Sequence, residues 1–134
     1  VKAIADTGFL IAFINRGDTH HEWAVSLASQ LTEPCLTCES VLSETAFHTD
    51  SRYVFDILRE GLVKLAFNCE EHLPQLEELA RRYANRKPDF ADLCLIRMSE
   101  LFPEHSVVTV DRQDFRIYRR NKREIIPLIC PPEE

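Results

Sequence analysis

The chain has 134 residues, enough for one domain with its own core and too few for two. With 45% hydrophobic and 28% charged residues it reads as an ordinary globular protein, which excludes disorder, collagen-like repeats and coiled coils. A net charge of −6 argues against a surface built wholly to wrap nucleic acid, while leaving open an enzyme whose metal ions supply the positive charge.

No apolar run approaches the roughly 18–20 residues of a membrane span. Residues 1–13 are interrupted by Asp6 and carry no basic lead, so they do not read as a secretory signal. Five cysteines, at 35, 38, 69, 94 and 130, are an odd number in a chain that needs no staples, and a reducing cytoplasm is the expected compartment. Cys35-x-x-Cys38 has no second pair to complete a zinc set, and Cys94 and Cys130 read as small buried hydrophobes. Only three glycines are present, none in a phosphate-cradling loop.

In chain order, short apolar runs alternate with helical patterns. Residues 1–5 predict a strand with Asp6 directly after it, and 8–14 a helix. The helix at 19–31 repeats Trp23, Leu27 and Leu31 every four residues and has Asp18 or Thr19 to cap it. His20 and His21 at its entry point in different directions and read as surface residues. A strand at 35–37 leads to a helix at 40–48, where Glu44 stands among apolar neighbours and needs a partner, a metal or water. Then come a helix at 53–60, a strand at 62–67, and a helix at 70–83 with one apolar stripe. The helix at 88–101 begins with Pro88 and places Asp89 and Asp92 on one face. A strand at 106–110 is followed directly by Asp111, a strand at 125–129 closes the series, and residues 131–134 read as a frayed tail. This alternation predicts a single α/β domain over 1–134, a parallel sheet covered by helices on both faces.

In open parallel sheets, ligands bind beyond the carboxyl ends of the strands. Asp6 and Asp111 stand there, and Asp89, Asp92 and Glu44 sit close after other strands or turns. Each Asp alone is explained by helix capping. Convergence of all five would be costly without a cation, and their hard oxygens suit Mg²⁺ or Mn²⁺ over zinc or copper. Residues 111–124 hold six bases against three acids, a local +3, and Arg81, Arg82, Arg86 and Lys87 precede Asp89. Carboxylates for metal beside arginines for phosphate describe a metal-dependent phosphodiesterase, and a solvated helix face is the bland alternative.

Four segments together resemble the motifs of PIN domains: Asp6-Thr7-Gly8-Phe9-Leu10, Val41-Leu42-Ser43-Glu44, Asp89-Phe90-Ala91-Asp92-Leu93, and Thr109-Val110-Asp111-Arg112-Gln113-Asp114-Phe115 followed by Arg116 and Tyr118. The resemblance is greatest to small bacterial members of the VapC toxin type. It implies a three-layer α/β/α sandwich with a five-stranded parallel sheet, and a Mg²⁺- or Mn²⁺-dependent ribonuclease acting as the toxin of a toxin–antitoxin pair. A homodimer and a cognate antitoxin are the implied partners, besides RNA. Matched by motif, Asp6, Glu44, Asp92 and Asp111 are the catalytic acids, with Asp6, Asp92 and Asp111 on the metal. Asp89 and Asp114 are auxiliary, Thr7 and Thr109 support the acids, and Arg112 and Arg116 are expected on substrate phosphate. Gly8 stands where many members have Ser or Thr, Leu93 replaces a smaller residue, and Asn85-Arg86-Lys87 is unusually basic. Two rivals are a PIN-like RNA- or protein-binding module with a degenerate site, which the intact acids count against, and a phosphotransfer receiver. The receiver needs a Lys after its last strand, where this chain has Cys130-Pro131.

Overall fold

The computed structural model describes residues 1–133. Its centre is a five-stranded parallel sheet of β1 (Ala3–Ala5), β2 (Cys35–Thr37), β3 (Val63–Leu65), β4 (Ser106–Val108) and β7 (Leu128–Ile129), in the order β3-β2-β1-β4-β7. Ala3, Ile4 and Ala5 are all buried, as a central strand covered on both faces must be. The chain builds outward from β1 through β2 to β3, then returns to the other side for β4 and β7. Strand order therefore reverses beside β1, and the crevice between the carboxyl ends of β1 and β4 is the expected place for a ligand. The register sets Ala5 opposite Val108, and Asp6 N–H donates to the Val108 carbonyl at 3.0 Å.

Helices α1 (Thr7–Ile14), α2 (His21–Ser29), α3 (Glu39–His48), α4 (Ser51–Arg59), α5 (Leu73–Arg82) and α6 (Phe90–Leu101) flank the sheet in the α/β/α arrangement. α6 packs on β1 and β4 and buries Ala91, Leu93, Cys94, Leu95, Ile96, Met98 and Ser99. A helix buried on most of its circumference cannot be amphipathic, so here it serves as a core element. α4 and α5 bury one stripe each, Val54 with Ile57 and Leu76 with Leu79. The helix expected at 70–83 divides into a 3₁₀ turn, Cys69–His72, and α5, because Pro74 must occupy a first turn. Among the described residues no helix is long and apolar enough to cross a membrane.

The C-terminal part corrects two expectations. The single strand expected at 125–129 is two: β6 (Glu124–Ile125) pairs antiparallel with β5 (Arg119–Arg120), and β7 joins the main sheet. Pro127 between them cannot donate to a ladder, although its carbonyl accepts from Val107 N–H at 2.8 Å. The tail through Glu133 is also tied down: Arg112 bonds both the Pro131 carbonyl and the Glu133 carboxylate, and Pro131 is buried. Glu134 of that tail lies outside the described residues. A further helix, α7 (Arg112–Ile117), escapes the sequence reading because it is six residues long and mostly polar.

Candidate active site

Three aspartates reach the crevice because each ends or begins an element. Asp6 leaves β1 in extended conformation and caps α1, accepting the Thr7 N–H at 2.7 Å. Asp89 caps α6, accepting Asp92 N–H at 2.8 Å. Asp111 caps α7, accepting Asp114 N–H at 3.3 Å. The capping explanation is correct for all three, and all three still line the crevice. One cleft of about 290 Å³ is lined by Asp6, Glu44, Asp89, Asp92, Asp111 and Asp114, so the structure brings together all six acids singled out in the sequence.

Thr109 ties two of them. Its hydroxyl donates to the second Asp6 oxygen at 2.6 Å and accepts Asp111 N–H at 2.9 Å. This fixes Asp6 and Asp111 to one side chain from the end of β4. Thr7 contributes its amide, while its buried hydroxyl faces Glu44 without a hydrogen bond of good geometry among the described residues. Tyr118 was not expected to contact an acid, yet its phenol donates to Asp92 at 3.1 Å. It is buried against Tyr83 and Phe115 in edge-on contacts, so its hydroxyl is held in place. Gly8 has a reason to lack a side chain: a Cβ there would lie 2.4 Å from a Val110 methyl.

Electrostatics follow from burial and like charge. Desolvation pushes the Asp6 carboxyl up to about 6, against the Thr109 and Thr7 hydrogen bonds, with Asp111 and Asp89 adding to the rise. Asp92 is pushed up to about 8, by burial first and then by the charges of Asp89 and Asp6. Burial also raises Glu44, helped by Asp89, and raises Asp111, helped by Asp114 and Asp89. Near neutral pH, with Asp92 at about 8, such a cluster holds its full negative charge only if a cation shares it.

Arg112 and Arg116 do not line this cleft. Both bond Glu133, Arg116 at 3.3 Å, which directs them to the C-terminal tail. The cleft's cations are Arg86 and Lys87 from the basic turn before α6. Arg86 spans to Asp114 at 3.2 Å, and Lys87 takes a left-handed backbone, φ 48°, that turns the chain from a 3₁₀ turn (Ala84–Arg86) toward α6. Their signal in the sequence was the Asn85-Arg86-Lys87 run itself. His21 bonds the Ala12 carbonyl at 2.8 Å and His20 stacks edge-on to Trp23, both away from the cleft.

The donor set fits a hard divalent ion: carboxylates, of which Asp6 is buried and Glu44, Asp92, Asp111 and Asp114 are half-buried, mutually repelling, with an unpartnered Thr7 hydroxyl alongside. Among the described residues no three acidic, His or Cys side chains stand close enough to grip an ion as placed, and the acids ring the cleft wall.

The family model described as the PIN domain matches residues 3–122. Among solved structures, the chain is similar to Mycobacterium tuberculosis VapC20, described as a Sarcin-Ricin loop cleaving toxin, with a TM-score of 0.66 and 20% identity over 79% of this chain and 87% of that one. At that identity the likeness is one of fold. No curated protein matches the sequence.

Proposed function

Since the chain belongs to the PIN domain family, we propose that it is a Mg²⁺- or Mn²⁺-dependent endoribonuclease, the toxin of a toxin–antitoxin pair. The observation that carries this reading is the convergence of Asp6, Glu44, Asp89, Asp92, Asp111 and Asp114 on one cleft at the strand-order reversal. RNA as the substrate is part of the proposal, supported by the description of VapC20 as a Sarcin-Ricin loop cleaving toxin.

Asp6, Asp92 and Asp111 would hold the ion, with Asp89 and Asp114 adding negative charge around it. A divalent ion bound there supplies Lewis-acid charge for the phosphate and acidifies water. Thr109 keeps Asp6 and Asp111 in fixed orientation, and the Tyr118 phenol does the same for Asp92. Glu44 comes from α3, on a different element, and its raised pKa makes its carboxylate a competent proton acceptor from the attacking water. Arg86 and Lys87 meet the phosphoryl oxygens. Water oxygen bonds to phosphorus, the bond from phosphorus to the 3′ oxygen breaks, and the products are a 5′-phosphate and a 3′-hydroxyl. Among the described residues, none lining the cleft is a Ser, Cys or His.

The exposed Phe47, Tyr53 and Phe55 of α3 and α4 form apolar surface that supports protein partners, an antitoxin and a second copy of the chain. A cytoplasmic location completes the reading. The test is single-stranded RNA with Mg²⁺ or Mn²⁺, against EDTA and against Asp6→Asn and Asp92→Asn. Each substitution keeps size and removes ligand charge, so cleavage falls by about 100-fold or more. Cleavage that survives EDTA, or leaves 2′,3′-cyclic ends, overturns the proposal. A degenerate RNA- or protein-binding module would instead bind without cutting.

A further inference from the structure

A second cavity, of about 420 Å³, takes no part in the chemistry above. The acid cleft sits over the carboxyl ends of β1 and β4, where Asp6 and Asp111 stand. Glu39 comes just after β2 and Phe67 and Asn68 just after β3, so this cavity sits over the next two strand ends on the same edge of the sheet. Two strand spacings, roughly 10 Å, separate the two sites. They also share α3 and α6: Glu39 and Phe90 line the cavity, Glu44 and Asp92 the cleft. The chemistry of the cavity is different. Phe90 is half exposed at the start of α6, and Phe67 is held in place by stacking on His72, with ring centres 5.0 Å apart and planes 18° apart. Arg97 donates to that His72 ring at 3.2 Å. The buried Cys38 and Cys94 add apolar surface. The Asn68 side-chain carbonyl accepts Glu70 N–H at 3.1 Å, which leaves its NH₂ to donate, while the exposed Glu39 carboxylate accepts. Among the described residues, none lining the cavity is a Lys, Arg or His. A phosphate would find no counter-charge there and would meet Glu39. A flat, neutral group with N–H donors fits, between aromatic walls and a few polar atoms.

We propose that this cavity receives an unstacked guanine base of the RNA whose phosphate lies in the acid cleft, and so selects where the strand is cut. Single-stranded RNA is read by splaying bases onto aromatic side chains and bonding their edges, and Phe90 and Phe67 supply the aromatic surface. Guanine is the base that presents two adjacent N–H donors on its Watson–Crick edge, which one carboxylate, Glu39, can accept together. Its O6 and N7 acceptors suit the Asn68 NH₂. Adenine and cytosine offer an amine without the neighbouring ring N–H, and uracil offers one N–H alone. That the base arrives on an RNA rests on the ribonuclease reading; its fit to the cavity does not.

Two measurements on the full chain test this. In the first, guanosine, adenosine, cytidine and uridine are each titrated in EDTA against isotope-labelled protein and followed by amide NMR. Guanosine should bind tightest and shift the Asn68 side-chain amide and the Phe90 backbone amide, and Phe90→Ala should weaken it about tenfold. In the second, random-sequence single-stranded RNA is incubated with Mn²⁺ and the product ends are sequenced. Guanine should be enriched at one position beside the cut, and Glu39→Gln should reduce that enrichment about tenfold. Both substitutions fall on exposed side chains, and thermal melts confirm that the variants fold. Guanosine binding by a chain that cuts no RNA would support the pocket and overturn the ribonuclease reading alone. The pocket is overturned if guanosine leaves Asn68 and Phe90 unmoved, if another nucleoside binds as tightly, or if wild-type and Glu39→Gln proteins cut with the same base distribution.

Discussion

Single side chains decide how the acids are held. Thr109 is the clearest case, since one hydroxyl serves the carboxylate of Asp6 and the backbone of Asp111. Thr109→Val keeps the shape and leaves both partners short of a bond in a buried place, and groups that orient ligands in this way are worth about 10–100-fold in metal affinity or activity. Mn²⁺ titration by calorimetry should show that loss, and RNA cleavage should track it. Arg86 tests the substrate side. Its bond to Asp114 joins two partly exposed groups, so it contributes at most about 1 kcal/mol and releases easily toward a phosphate. Arg86→Ala should therefore raise KM for RNA several-fold with kcat little changed, and make binding less steeply dependent on salt.

Elements determine which of these residues could be read beforehand. Asp6 and Asp111 were legible because buried apolar strands precede both, β1 ending directly before Asp6 and β4 two residues before Asp111, and a parallel sheet gives those ends a shared direction. Glu44 was legible as a charge inside an apolar helical segment. The bond from Tyr118 to Asp92 was not, because it depends on α7, a short charged stretch with no hydrophobic period to mark it, whereas the cleft cations Arg86 and Lys87 stood in the basic run before Asp89. Arg112 and Arg116 carry the same local charge as Arg86, yet the folded tail brings Glu133 to them, a contact no spacing rule anticipates. Gly8 illustrates the packing constraint on α1. Its helix starts so close to Val110 that Gly8→Ser, which would restore the hydroxyl many relatives have, must displace a stiff branched side chain. Overpacking of this kind costs about 1–3 kcal/mol, so urea unfolding should show a lower midpoint with an unchanged slope.

Across the whole molecule, the acid cleft couples stability to pH and to metal. An ordinary aspartate titrates near 3.8, whereas Asp6 in the fold is at about 6 and Asp92 at about 8. For carboxyls raised in this way the folded state holds protons that the unfolded chain releases. Their contribution to stability is therefore complete below about pH 4 and is lost as pH climbs through about 6 and then about 8. In EDTA, melting temperature should fall between mildly acidic and mildly alkaline solution, across that window. A divalent cation binds the ionised cluster of the native state and has nothing comparable in the unfolded chain, so it adds stability where the carboxyls are charged. Millimolar Mg²⁺ or Mn²⁺ should accordingly raise the melting temperature most near about pH 8 and least near about pH 5, flattening the slope seen in EDTA. Asp92→Asn removes the group with the highest pKa and should flatten the EDTA slope on its own, while weakening the response to metal. A melting profile unchanged by either ion at alkaline pH would show that the six acids repel one another without recruiting a cation, and would leave the cleft as a binding surface alone.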